Sequence, residues 1–499
     1  MRTVVILIDT LRKDFLKSYN PDSWALTPNL DAFSQESLVF DNHFVGSMPC
    51  MPARRDIFTG RLNFLERSWG PIEVFDVTFP QLLRQHKIFT HITTDHCHYM
   101  RLAGDGYLQQ FDTWDYHRGQ EGDPWISSID DPDFMPEEYY GKLRRQYQWN
   151  RTVWGQDENL YPTPRTFQSA CEWLTHNQGK DDFFLMVEVF DPHEPFDVPD
   201  DYLKLYDDQY TGPYFETPNY GQVDVPDEAL EHIRKRYAAL LTMTDKHFGK
   251  VIDKLKELNM FDDTLIIVTS DHGYFLGERQ LFGKNYMHSY NEVAAIPLFV
   301  RDPNKLRVGQ RESRVSQNID IMPTLLDYYK IPIPNEVRGK SWYSLIHGTS
   351  ASEDKDYALY GTHGVSANVT DTHYSYFRAP NTDNQPLSEY TTSLATIRSY
   401  LGKDSPESIQ VDRYFDRTQY PIYKVPITEP SLLKGQSDLR RFTESSLLFD
   451  LSNDPHQTQP IQDSDLEYRY VELLKRALKE HDAPEEQFKR LGLDDYKRE

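Results

Sequence analysis

Cys50, Asp9, Asp271, His272, His193 and Lys284 are the residues of this 499-residue chain best suited to do chemistry together. Cys50-Met51-Pro52-Ala53-Arg54 sets a nucleophilic side chain just ahead of a permanent cation, and Thr59-Gly60-Arg61 follows closely. A cysteine so placed reads in three ways: an inert buried thiol, a thiolate whose pKa Arg54 lowers, or the precursor of a modified nucleophile. Asp9 and the pair Asp271-His272 each close an apolar run. Singly, such acids are helix caps or turn formers; jointly with Cys50 they make a donor set for one divalent metal. His193, between prolines after another apolar run, and Lys284 supply a general acid and a fixed cation. His96-Cys97-His98 adds a further donor-rich tract, although Asp95 to His98 lie too close in the chain to face one zinc ion. His96, His288 and His363 are further candidates for contact with substrate.

The elements that must carry these residues are short apolar strands. Val4-Val5-Ile6-Leu7-Ile8 ends at Asp9, Phe183 to Phe190 ends at Asp191-Pro192-His193, and Leu265 to Ser270 ends at Asp271-His272-Gly273. A weaker run, Ile88 to Thr94, leads into Asp95-His96-Cys97-His98. Continuous β-branched runs indicate buried parallel strands. The intervening segment Asp227 to Leu258 has helical periodicity, so the pattern predicts an α/β fold with helices on both faces of a mostly parallel sheet. Ligands of such sheets gather beyond the carboxyl ends of the strands, where all four runs deliver acids or histidines. From Tyr99 to about Thr166 the chain turns polar and aromatic without a regular period, an excursion over the sheet edge. Beyond about Tyr374 the βα alternation stops, and a last helix is expected over roughly Asp465 to His481. The expected division is a catalytic domain over 1–375 and a C-terminal subdomain over 376–499.

A net charge of −24 argues against nucleic acid or an anionic membrane as the main partner. It also means that an anionic substrate must be drawn in by local cations or a metal. Three cysteines make no disulfide framework. The first strand starts almost at Met1, with no leader pattern ahead of it, so the expected compartment is the cytoplasm.

The Cys50 block with Thr59-Gly60-Arg61, Asp9-Thr10-Leu11-Arg12, the Pro192-His193-Glu194-Pro195-Phe196 segment, Asp271-His272-Gly273 and Lys284 together resemble type I sulfatases of the alkaline phosphatase superfamily. Asp320 to Asp327 and Leu448 to Pro455 extend the resemblance to nearly the whole chain. It implies an alkaline-phosphatase-like mixed, mostly parallel sheet between helices, with a smaller C-terminal α+β subdomain carrying a short antiparallel sheet. It implies that a maturase converts Cys50 to formylglycine. The hydrated aldehyde is a geminal diol, one hydroxyl of which, ionised with the help of a divalent metal, attacks sulfur while the other later expels sulfate. Asp9, Cys50, Asp271 and His272 would hold the metal, and Arg54 would hold the diol. His193 or Lys284 would serve as general acid, with His98 assisting regeneration of the nucleophile.

The chain departs from the family at three places: Thr10 stands where a second aspartate is usual, His272 where asparagine is frequent, and His96 where lysine is frequent. Calcium is the metal the resemblance implies, while the added imidazole moves preference toward manganese or zinc. The expected substrate is a small sulfated sugar or other organic sulfate. The alternatives are a phosphonate monoester hydrolase or phosphodiesterase of the same superfamily, and a non-catalytic binding protein with Cys50 unmodified.

Overall fold

The computed structural model describes residues 1–494 apart from 105, 348–354, 398, 404 and 431–440. At its centre is an eight-stranded sheet. In spatial order the strands are Arg311–Gln317, Leu38–Phe44, Leu298–Arg301, Thr264–Thr269, Arg2–Ile8, Phe183–Val189, Phe89–Thr94 and Thr113–Tyr116. Leu298–Arg301 runs antiparallel to both neighbours, and every other pairing in this sheet is parallel. The three strands Thr264–Thr269, Arg2–Ile8 and Phe183–Val189 are buried at every position. Burial on both faces is why they read as unbroken apolar runs. Leu7 lies opposite both Glu188 and Thr269, which brings the three carboxyl ends level. Asp9, Asp271 and the loop of His193 therefore leave the sheet at one edge.

Helices Pro162–His176 and Asp227–Glu257 cover one face, packing on Ile6, Ile8, Val187 and Val189. Helices Cys50–Thr59 and Ile321–Tyr328 cover the other, against Val5, Leu7 and Met186. The excursion after Tyr99 supplies the outermost strand, Thr113–Tyr116, and a short helix, Arg145–Arg151. Neither is legible in the sequence, because four half-exposed residues carry too little periodicity to declare a strand.

Helix Cys50–Thr59 is buried along its whole length and stops at Gly60, whose φ of 65° is left-handed. A side chain at that position would meet Val337 at 2.8 Å, so the glycine of Thr59-Gly60-Arg61 acts as a helix terminator. Within the helix, Asp56 accepts hydrogen bonds from Ser47 N (2.6 Å), Ser47 Oγ (2.8 Å) and Asn63 N (2.7 Å). One carboxylate thus clamps the chain on both sides of the helix Cys50–Thr59.

The segment it clamps, Ser47–Met48, is also the edge of a second, five-stranded sheet. That sheet continues through Ala358–Thr362, Ala367–Thr370, Tyr374–Arg378 and Leu447–Asp450, and Ser47 and Met48 pair in parallel with Gly361 and Thr362. The expected division at 375 and 376 falls inside the strand Tyr374–Arg378. Helix Ser464–Glu480, N-capped by Asp463, covers this sheet with Tyr470, Val471, Leu474, Ala477 and Leu478. No described helix is long and apolar enough to cross a membrane.

Leu474 is fully buried in the contact between this helix and the second sheet. Leu474→Ala is expected to lower the unfolding free energy by about 2–5 kcal/mol, measured by urea denaturation. A loss below about 1 kcal/mol would mean that the helix contributes little to holding the second sheet.

Candidate active site

The sheet edge brings Asp9, Cys50, Asp271 and His272 together. One donor atom from each lies within 4.8 Å of the others, and all four residues are buried. Cys50 Sγ is 3.2 Å from His272 Nε2 and 3.4 Å from Lys284 Nζ. The His272 ring is set by its other nitrogen: Nδ1 donates to the Gly273 carbonyl at 3.1 Å, which leaves the Nε2 lone pair directed at the cluster. Asp271 is fixed by backbone donors, accepting from Thr10 N (3.1 Å) and His272 N (2.8 Å).

Arg54 does more than the sequence suggests. Its guanidinium donates through Nη2 to Asp9 (2.8 Å), through Nη1 to Asp271 (2.6 Å) and to the Cys50 carbonyl (3.0 Å), and through Nε to Glu188. These bonds orient the two acids and, through the Cys50 carbonyl, the start of the helix. Glu188, the one acid inside the apolar strand Phe183–Val189, is the residue that sequence reasoning left without a role. A charge in an otherwise apolar buried strand was the available signal.

Thr10, in the place of the family's second aspartate, is held at a φ of 61°, rare for a β-branched residue. Its hydroxyl donates to Asp9 Oδ1 at 2.7 Å and receives Lys284 Nζ at 3.4 Å. His96 Nδ1 lies 3.8 Å from Asp9, and both of its ring nitrogens are buried without a hydrogen-bond partner. His98 meets His96 edge-on and pairs through Nε2 with Glu121 at 2.9 Å, and Glu121 pairs with Arg144 at 2.6 Å. Cys97, His98 and Glu121 form a second donor group, but Arg144 already neutralises its acid. His193 donates Nδ1–H to the Glu194 carbonyl at 2.6 Å.

Two of the candidate residues are placed otherwise. His288 is engaged at both nitrogens, by Ser366 Oγ (3.0 Å) and the Ser445 carbonyl (2.9 Å), and stacks on Phe377 of the second sheet. His363 contacts the Phe64 carbonyl through Nδ1 at 2.9 Å. Both brace the framework, and their neighbours in sequence gave no sign of it.

The electrostatics of the cluster are set by burial and by the charges packed against it. Burial, reinforced by Asp271, pushes the Asp9 carboxyl up to about 8. Burial also pushes Asp271 upward, but with His272 neutral it is Arg54, Lys284 and the backbone donor Thr10 N that outweigh burial and hold that acid low. Burial lowers the His272 imidazole to about 3, leaving it neutral and able to ligate. Two buried carboxylates and a neutral imidazole therefore fit a divalent cation by donor chemistry. Burial, then Asp9, raises the Cys50 thiol well above its ordinary value. For Lys284, burial is outweighed by Cys50, Glu194, Asp9 and Asp271, so the ammonium is retained.

Residues 2–331 match the sulfatase family, and residues 277–410 match the N-sulphoglucosamine sulphohydrolase C-terminal family. The chain belongs to the sulfatase family. It is 26% identical over 408 residues to an arylsulfatase of Clostridium perfringens, covering 72% of this chain and 81% of that one. It is 25% identical over 396 residues to an N-acetylglucosamine-6-O-sulfatase of Bacteroides thetaiotaomicron, covering 63% of this chain and 65% of the relative. Among solved structures, the phosphonate monoester hydrolase of Agrobacterium radiobacter superposes with a TM-score of 0.69 at 18% identity, over 96% of this chain and 95% of that one. The fold is thus alkaline-phosphatase-like, as the family resemblance implied.

Position 10 offers a test of the donor count. Thr10→Asp adds a carboxylate beside Asp9 and relieves a β-branched residue of its left-handed backbone. Calcium affinity is expected to rise relative to manganese by roughly tenfold, measured by calorimetric titration of metal-stripped protein. An unchanged ratio would place position 10 outside the reach of the cation.

Proposed function

We propose that this sulfatase cleaves the ester bond of a small sulfated sugar or comparable organic sulfate, with a formylglycine made from Cys50 by a maturase as nucleophile. The observation that carries the reading is the convergence of Cys50, the two acids, His272 and Lys284 at one buried sheet edge. The Cys50 thiol occupies the place that the oxygens of a hydrated aldehyde would take. Asp9, Asp271, His272 and residue 50 would hold a divalent cation, calcium by family resemblance and manganese or zinc by the imidazole donor. When bound, that cation supplies Lewis acidity and positive charge to the nucleophile and the sulfate ester.

The chain's own residues divide the remaining work. Lys284, adjacent to the nucleophile and protonated, neutralises charge on the reacting group and is the resting proton source for the departing oxygen. His193 has Nδ1–H committed to a carbonyl, and burial then Lys284 push its pKa well down, so Nε2 rests as a proton acceptor. It can take a proton at Nε2 as the aldehyde is regenerated, with His98 assisting. The contact chain Asp9–His96–His98–Glu121–Arg144 leads from fully buried Asp9 to Arg144, whose side chain is 26% exposed. We assign the sugar to that side, where a carboxylate and a guanidinium can bind its hydroxyls. A short, already degraded substrate in the cytoplasm accords with an acidic surface that repels polyanions. The relative named N-acetylglucosamine-6-O-sulfatase supports a sugar sulfate as the substrate class.

Phosphonate monoester hydrolysis is the second reading, favoured by the imidazole in the donor set. Turnover of nitrophenyl sulfate against phenyl phosphonate, with maturase co-expressed and peptide mass spectrometry over Cys50, separates the two. Sulfate turnover should dominate, with an aldehyde mass at residue 50. Equal or greater phosphonate turnover would overturn the choice, and a retained thiol despite the maturase would indicate a binding protein.

The proton assignment has its own readout. Lys284→Met should reduce kcat/KM for an alkyl sulfate by about 10²–10⁴-fold, and that for nitrophenyl sulfate far less, because nitrophenolate leaves without a proton. Equal losses on both substrates would assign Lys284 to binding alone.

A further inference from the structure

Glu188 is a buried acid that touches none of the donor atoms at the nucleophile, yet its position is over-determined. It is fully buried at the penultimate position of the strand Phe183–Val189, between Val187 and Val189. One oxygen accepts Arg54 Nε; the other accepts the Tyr99 hydroxyl at 2.8 Å and the Thr94 hydroxyl at 3.4 Å. The same Thr94 hydroxyl accepts His96 N at 3.0 Å, which links this acid to the loop facing Asp9. Arg54 has three carboxylate partners and all four side chains are fully buried, so no solvent screens the group.

We propose that Glu188 is a positioning residue that sets how much of the Arg54 charge reaches the metal site. The proposal rests on the functional reading above, in that Asp9 and Asp271 are taken as the cation's ligands. Glu188 engages Nε, the third edge of the guanidinium, so that Nη1 and Nη2 face Asp271 and Asp9. Its negative charge offsets the guanidinium, which would otherwise hold both acids as counter-ions and oppose an incoming cation. The buried acids Asp9, Asp271 and Glu188 surround Arg54, with the Lys284 ammonium alongside and Glu194 acting on that ammonium in turn. Removing Glu188 leaves the site one unit more positive, with or without a divalent cation, which disfavours the cation and favours a monoanionic sulfate ester. The acid therefore tunes cation and anion binding in opposite directions, which a purely structural residue would not do.

The test uses full-length protein stripped of metal, with Mn²⁺ as probe in calorimetric titration. Inorganic sulfate is then tested as a competitive inhibitor at saturating Mn²⁺. Glu188→Gln keeps the shape and the Tyr99 contact. It should weaken Mn²⁺ binding tenfold or more, within the range for losing a partner of a ligand-orienting group, while sulfate inhibits more tightly. Tyr99→Phe, which removes one donor to Glu188, should weaken Mn²⁺ binding about threefold and decides the matter if Glu188→Gln does not fold: no change would overturn the proposal. Unaltered Mn²⁺ affinity in a folded Glu188→Gln protein, or weakening of both Mn²⁺ and sulfate together, would also overturn it while leaving the sulfatase reading intact. Failure of the wild-type protein to bind Mn²⁺ or Ca²⁺ would sink both.

Discussion

A guanidinium with no exposure, held by carboxylates from three adjacent strands, is the constraint on which the site depends. Arg54 rises from the nucleophile helix and reaches Asp9 at the end of the first strand, Asp271 beyond its neighbour and Glu188 within the strand on the other side. Burying any of these charges alone would cost several kcal/mol, so each is tolerable only because the others are present. The same requirement fixes the nucleophile: Arg54 also binds the Cys50 carbonyl, so aligning the acids aligns the start of the helix. Arginine suits this position because its planar fork can serve several carboxylates at fixed angles, which a lysine could not.

The second sheet becomes part of the same argument through Ser47–Met48. These two residues pair with Ala358–Thr362 while Asp56, in the second turn of the helix Cys50–Thr59, accepts from both the backbone and the side chain of Ser47. The C-terminal elements therefore brace the approach to Cys50 even though they contribute no atom to the donor cluster. His288 and His363 belong to this bracing, as their partners Ser366, Ser445 and Phe64 make plain. Holding a nucleophile within a fraction of an ångström of its productive position demands such support behind it.

The fold class and most of the site were legible because the physics is local in sequence. Buried parallel strands are written as apolar runs, and the polar residue closing each run lies at the ligand-binding edge. Asp9, Asp271, His272 and His193 were readable on that ground, and Cys50 by its spacing from Pro52 and Arg54. Glu188 was in plain view but carried no spacing motif, since its partners Arg54, Tyr99 and Thr94 are distant in sequence and only meet once the sheet forms. The tertiary partners of His288 and His363 were invisible for the same reason. Thr10 was noticed as a departure, but its left-handed backbone depends on the turn between the first strand and Arg12, which no residue type there announces.

Two of the three departures from the family pattern, at Thr10 and His96, belong together. Replacing a lysine by His96 removes one fixed cation, and replacing an aspartate by Thr10 removes one anion from the same few ångströms. The two changes cancel in net charge, which leaves the balance among Asp9, Asp271, Arg54, Lys284 and Glu188 to govern the site. His96, neutral because burial and then Arg54 drive its pKa well down, keeps a lone pair and an N–H where the lysine would have held only donors. On the reading proposed above, a sulfate oxygen would accept from that N–H without a second ammonium at the site. Directional hydrogen bonding would then carry more of the recognition than bulk charge, in accord with a monoanionic ester approaching a protein of net charge −24.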